Sequence, residues 1–137
     1  MTAISTSLCS ATLGAMIFFG AVVAPIVFTT LDQNVAGQFL RRLFPRLYLF
    51  CGVLIGLSTV FIISTGDLIN GAILGVTCLL FFVSRGPLTS AINRARDAQL
   101  DGDEMAGKRF DRLHALSTRI FGLQALALLY ILVSPSL

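Results

Sequence analysis

Long apolar runs alternate with short polar segments along the whole chain. No Asp, Glu, Lys, Arg or His occurs from Met1 to Leu31, from Leu47 to Gly66, from Leu68 to Ser84, or from Ile120 to the end. A helix crossing the hydrocarbon core needs about 20 apolar residues, within a range of roughly 17–25. Each run meets that length. A helix in a soluble bundle usually shows one face to water and so carries charge along it. The pattern therefore predicts an all-α, four-transmembrane-helix bundle in a single domain covering 1–137. Its spans are expected near 8–31, 47–65, 68–84 and 116–134.

The segments between the spans also read as helices. Val35, Phe39, Leu40, Leu43 and Phe44 recur at helical spacing, with Gln38, Arg41 and Arg42 on the other side. That is an amphipathic helix fit to lie in the membrane interface. Pro45 fits the first turn of the second span, where its missing N–H is no loss. Pro25 is expected to bend the first span. Gly66 and Asp67 make a tight turn. Gly86–Pro87 is expected to open a new helix, and the run Asp101-Gly102-Asp103-Glu104 to break it and cap the next one. The last two segments thus form a helical hairpin. Gly52 and Gly56, and Gly71 and Gly75, stand at GxxxG spacing, which lets two helix backbones approach closely.

Composition adds a location. The chain is 55% hydrophobic and only 12% charged, too little charge to cover a soluble domain of 137 residues. A cleaved signal peptide would need a basic segment ahead of its apolar run, and no Lys or Arg precedes Arg41. The net charge of +3 concerns orientation and implies no nucleic acid partner. Arg41, Arg42 and Arg46 lie between the first two spans; Arg85, Arg94, Arg96, Lys108, Arg109, Arg112 and Arg119 lie between or flank the last two. The positive-inside rule puts both segments in the cytoplasm and both termini on the other side. The expected location is a bacterial inner membrane.

Candidate chemistry is sparse. No carboxylate lies within a span, which argues against a proton-coupled antiporter. One His allows no bis-histidine haem site within one chain. Cys9, Cys51 and Cys78 fall in three different runs without metal-ligand spacing, so no metal or other cofactor is implied. No GxSxG, P-loop or HExxH motif occurs. His114 stands one turn before the fourth apolar run, with Phe110, Ser117 and Thr118 near its face. It either accepts a proton or ligand at the inner mouth of the bundle, or simply hydrogen-bonds to a neighbouring helix. Arg85 and Ser117 are its expected partners, under the Phe44-Pro45 corner, and Tyr48 is a further candidate for the same polar or ligand site.

Several of these residues fall into a known arrangement. Phe28-Thr29-Thr30-Leu31, Gly37, Leu43-Phe44-Pro45 and Tyr48 follow the pattern F-x-x-L, G, L-F-P-x-x-Y. Ser84-Arg85-Gly86-Pro87, Ile92-Asn93 and Phe110-x-x-x-His114-x-x-Ser117 follow in order. Together they resemble the transmembrane protein 205-like family, also known as domain of unknown function 4149. Phe121 stands where many members have Asn, seven residues after the His, and Ser and Thr stand where some have a His near the start. The resemblance implies a helical membrane protein and no reaction. The expectation is a non-enzymatic bundle in contact with membrane lipids, acting as an accessory or scaffold or binding a lipid-like molecule. A transporter or channel component working as a homo-oligomer, or with a partner membrane protein, is the second reading. A redox or haem-pathway enzyme using His114 is the third.

Overall fold

The computed structural model describes residues 2–134; Met1 and residues 135–137, the tips of two apolar runs, lie outside it. The described residues form four long helices and no strand: α1 Ala3–Thr30, α2 Gln33–Ser64, α3 Leu68–Leu100 and α4 Glu104–Val133. All four are long and apolar enough to cross a membrane. They stand in a ring in chain order, each packed on the next and α4 on α1. α2 carries Arg41, Arg42 and Arg46, α3 carries Arg85, Arg94 and Arg96, and α4 carries Lys108, Arg109, Arg112 and Arg119, all toward the same end of the bundle, which makes that end basic.

The helices outrun the expected spans because each interfacial segment continues one. Ala36 and Tyr48 are both buried, so the residues on either side of Pro45 share one packed face of a single rod. Pro45 is therefore inside α2 and not in the first turn of a new helix. Arg46 Nη1 donates to the Arg42 carbonyl at 2.8 Å nearby. Gly86–Pro87 does not open a new helix either. A wide π-turn, Ser84–Leu88, absorbs Pro87, and the Thr89 hydroxyl donates to the Ser84 carbonyl. A second π-turn, Phe19–Val23, lies just before Pro25. Such a turn adds one residue to the ladder and re-pairs groups that a proline disturbs.

The turns obey the sequence more directly. Gly66 and Gly102 hold φ of +83° and +102°, the left-handed conformation that ends a helix. At Gly102 the Asp103 N–H reaches the Ala98 carbonyl at 3.1 Å and the Gly102 N–H the Gln99 carbonyl at 3.1 Å, a Schellman closure. Three side chains cap the next turns. Thr2 accepts from the Ser5 N–H, Asp67 from the Asn70 N–H, and Asp103 from the Met105 and Ala106 N–H groups.

The outer surface differs from that of a soluble bundle, while the interior is apolar as in one. In the most apolar windows of α1 and α4 only 17% of residues are buried. Ile69, Val60 and Phe18 stand open on the outside. Hydrocarbon accepts such a surface. The interior holds Met16, Cys51, Ile55, Ile62, Leu74, Phe81 and Leu128. At the end opposite the basic one, Ser5 Oγ and Ser58 Oγ lie 2.7 Å apart, with Cys9 Sγ 3.2 Å from Ser58 Oγ, tying α1 to α2. Buried Gln124 on α4 donates to the Thr77 carbonyl of α3 at 3.4 Å, and its Oε1 has no partner.

The four GxxxG glycines lie where α2 meets α3. A Cβ at Gly52 would sit 3.2 Å from the Phe82 ring and 3.4 Å from Phe81 Cβ; one at Gly71 would sit 2.6 Å from Ile63 Cγ1. At Gly56 and Gly75 the nearest atoms are Cys78 Sγ at 3.4 Å and Thr59 Cγ2 at 3.8 Å. Gly52→Leu and Gly71→Leu are thus predicted to destabilise the bundle by about 1–3 kcal/mol each, the usual cost of overpacking. Gly14→Leu, with nothing within 4 Å of its Cβ, should melt like wild type. Thermal unfolding in mild detergent decides; indistinguishable melting of all three would place the glycines against lipid.

Candidate functional site

At the basic end the bundle is hollow. The segment Ala24–Thr30 packs against the start of α2 but not against α4, whereas the first part of α1 touches α4. The two helices therefore diverge toward this end. The gap opens into a cavity of about 570 Å³, inside the range of about 300–1,000 Å³ typical of small-molecule sites. All four helices contribute walls: Phe19 to Leu31 of α1, Gln33 to Tyr48 of α2, Thr89 to Arg96 of α3, and Phe110 to Phe121 of α4.

The deep wall is aromatic. Phe19 meets Phe44 edge to face at 5.1 Å and Phe121 at 6.3 Å between ring centroids. Phe44 stacks on Tyr48 at 5.6 Å, and Tyr48 leans on Phe81 at 6.5 Å. Edge-on and offset pairs of this kind favour one another beyond the area they bury. The buried Tyr48 hydroxyl lies 3.4 Å from Ser117 Oγ, so a polar contact crosses the bundle from α2 to α4.

The rim is polar. The His114 ring stacks parallel on Phe110, with 5.8 Å between centroids and 7° between planes. The Arg96 guanidinium lies 5.2 Å from the centroid of the Phe110 ring, a cation–π geometry. Arg96 Nη1 also donates to Gln99 Oε1 at 2.8 Å. Arg41 Nη2 binds the Asp97 carboxylate and approaches the Asn93 carbonyl at 3.4 Å. This is the one ion pair among the described residues, and it links α2 to α3 at the mouth.

Of the residues singled out from the sequence, His114, Ser117, Phe110, Phe44 and Tyr48 line the cavity. Arg85 and Pro45 do not. Arg85 is exposed in the π-turn and does not meet His114; Ser117 contacts Tyr48 in place of His114. The His114 side chain has no hydrogen bond among the described residues, and its environment is the stacked ring. Arg41, Asn93 and Arg96 were the missed members. The signal for the last two was the stripe Thr89, Ile92, Asn93, Arg96, spaced i, i+3, i+4, i+7 along α3. Phe121 joins the aromatic wall through its edge contact with Phe19 and makes the floor apolar. No group of three His, Cys, Asp or Glu fit for a metal ion exists among the described residues.

Fold and site together define a small multi-pass membrane protein with an amphipathic cavity at one end. The family described as Domain of unknown function (DUF4149) matches residues 7–98, and the chain belongs to it. The match covers α1, α2 and nearly all of α3. No curated protein and no solved structure matches the chain.

The ion pair at the mouth carries a pH signature. Hydrogen bonding from the Arg41 guanidinium holds the Asp97 carboxyl below its ordinary value of 3.8. A lowered folded value means the pair stabilises fully above 3.8 and loses its effect as pH falls through the lower folded value. Both side chains are substantially exposed, so the contribution is small and screened by salt. Melting followed from pH 7 down to pH 3 at low ionic strength should fall less steeply in Asp97→Asn than in wild type. Parallel curves would remove the pair from the account.

Proposed function

We propose that this protein binds a lipid-like amphiphile in the cavity at its basic end, admitting it sideways from the bilayer between α1 and α4. The observation that carries this reading is the shape and lining of the cavity. It is aromatic toward the membrane interior, polar at the rim, and open along the side where Ala24–Thr30 leaves α4. An amphiphile uses both parts of such a lining, its chain in the aromatic depth and its head at the polar rim. The reading is non-enzymatic: no side chain at the cavity is paired with a base or nucleophile in the manner that acyl or phosphoryl transfer needs. The likeness to the transmembrane protein 205-like family is compatible with it and supplies no reaction.

The cavity faces the cytoplasm in this proposal, in a bacterial inner membrane, with both termini outside. The support is the segregation of all ten Lys and Arg to one end. A reporter placed in the turn 101–103 should read cytoplasmic, and one fused at Leu137 non-cytoplasmic. The reverse pattern would invert the orientation.

Gly20 and Gly37 line the cavity, and a Cβ at either meets nothing within 4 Å. Gly20→Leu and Gly37→Leu should therefore fill space without strain. In native mass spectrometry from mild detergent, the wild type should carry an amphiphile that the double variant lacks, with melting of the empty proteins alike. Absence of any such adduct on the wild type, or its persistence on the filled variant, would end the proposal. The same spectrum counts subunits. A homo-oligomeric transporter is the second reading, favoured by the unpaired Gln124 Oε1 beside a groove of about 370 Å³ between α3 and α4.

A further inference from the structure

We propose that the head of the bound amphiphile is an anion, a carboxylate or a phosphate, gripped by Arg96 and Arg41 at the rim. This rests on the cavity being the ligand site, and adds the chemical class of the ligand.

The first ground is the sign of the lining. Arg41 and Arg96 line the cavity and no Asp or Glu does; Asp97, paired with Arg41, stands at the mouth outside the lining. A concave site with one sign of charge and low-dielectric walls concentrates the opposite charge. The second ground is how Arg96 is held. Its partners are the Gln99 amide oxygen and the face of Phe110, both neutral. They orient the guanidinium without cancelling it. A surface arginine normally offsets its charge with a carboxylate or lets its head swing into water; this one is steered to the mouth and left positive. The third ground is Arg41. Its Nη2 serves Asp97 and the Asn93 carbonyl, and Nε and Nη1 have no acceptor among the described residues. An anion at the rim would take those N–H groups while Asp97 keeps its own. Two guanidinium groups presenting free N–H donors suit a carboxylate or phosphate, which accepts such donors in pairs.

The fourth ground is the order of polarity with depth on α2 and α4, facing an α1 wall that is apolar throughout. On α2 the lining runs from Gln33 and Arg41 to Phe44 and Tyr48, and on α4 from His114 through Ser117 to Phe121. A head bound at the rim therefore points its chain into the aromatic depth and out through the gap beside Ala24–Thr30. Neutral polar heads satisfy the rim hydrogen bonds but leave Arg96 uncompensated.

The test uses the purified full-length protein in a neutral detergent. The probes are palmitate, monopalmitoyl lysophosphatidic acid and monopalmitoyl glycerol, which share one chain. Binding is read by native mass spectrometry titration. Expected is binding of both anions, with the neutral probe about tenfold weaker or more, as loss of a charge-assisted contact implies. Arg96→Gln should weaken the anions to the level of the neutral probe and leave the neutral probe unchanged; Arg85→Gln, outside the cavity, should change nothing. The stronger of the two anions identifies the source, free fatty acid or phosphorylated lipid. Equal binding of all three probes, abolished by the Gly20→Leu and Gly37→Leu double variant, would overturn the anionic head while leaving the amphiphile site standing. Anion binding that survives Arg96→Gln combined with Arg41→Gln would likewise overturn it, as adsorption to the basic surface. No binding of any probe would overturn both readings.

Discussion

Hydrocarbon solvates neither a charge nor an unpaired peptide group, and the helices, their order and the place of the charges in this chain follow from that constraint. Four charge-free runs must each become a helix, because a helix pairs its own backbone. With short connections the helices must alternate in direction, so all turns of one kind gather at one end. The charges excluded from the spans collect there with them. The basic end is thus a by-product of insertion before it is anything functional. It becomes a site only because α1 and α4 diverge there, bringing charged side chains beside an apolar hollow.

That arrangement depends on three helices persisting where proline would end them in water. Pro25, Pro45 and Pro87 all fall near the boundary between span and interface. A broken helix at any of them would let the interfacial segment lie flat. Continuing it instead carries Arg41 and Arg96 along the bundle and over the hollow. The π-turns at Phe19–Val23 and Ser84–Leu88 accompany two of these prolines, and Phe19 and Thr89, which belong to or adjoin them, line the cavity. Extra residues in a ladder re-aim the side chains around them, and here the re-aimed side chains face the same space.

This explains which parts were readable in advance. The four long apolar helices, the turns at Gly66 and Gly102, the cap in the run 101–104 and the all-helical class are local consequences of composition and turn chemistry, so the sequence displays them. The identity of the rim cation was not local. Arg85 ends the third charge-free run and looked like the partner of His114. Arg85 and Arg96 are about three turns apart, and on an uninterrupted α-helix they would share a face. The π-turn holds Arg85 and takes up an additional residue, which rotates it off that face. Only Arg96 stays with Asn93 and Ile92 on the lining. The divergence of α1 from α4 was equally invisible, because it is set by long-range packing and no motif spells it.

His114 illustrates how such packing changes the meaning of a residue. Read alone, it invites a hydrogen-bond partner, a metal or a haem. In the fold it stacks on Phe110, whose ring also contacts Arg96. The imidazole and the Arg96 guanidinium thus share one aromatic neighbour at the rim, and Phe110 sets the place of both. Ser117, one turn deeper, belongs to Tyr48 and to the boundary where the polar rim gives way to the aromatic wall.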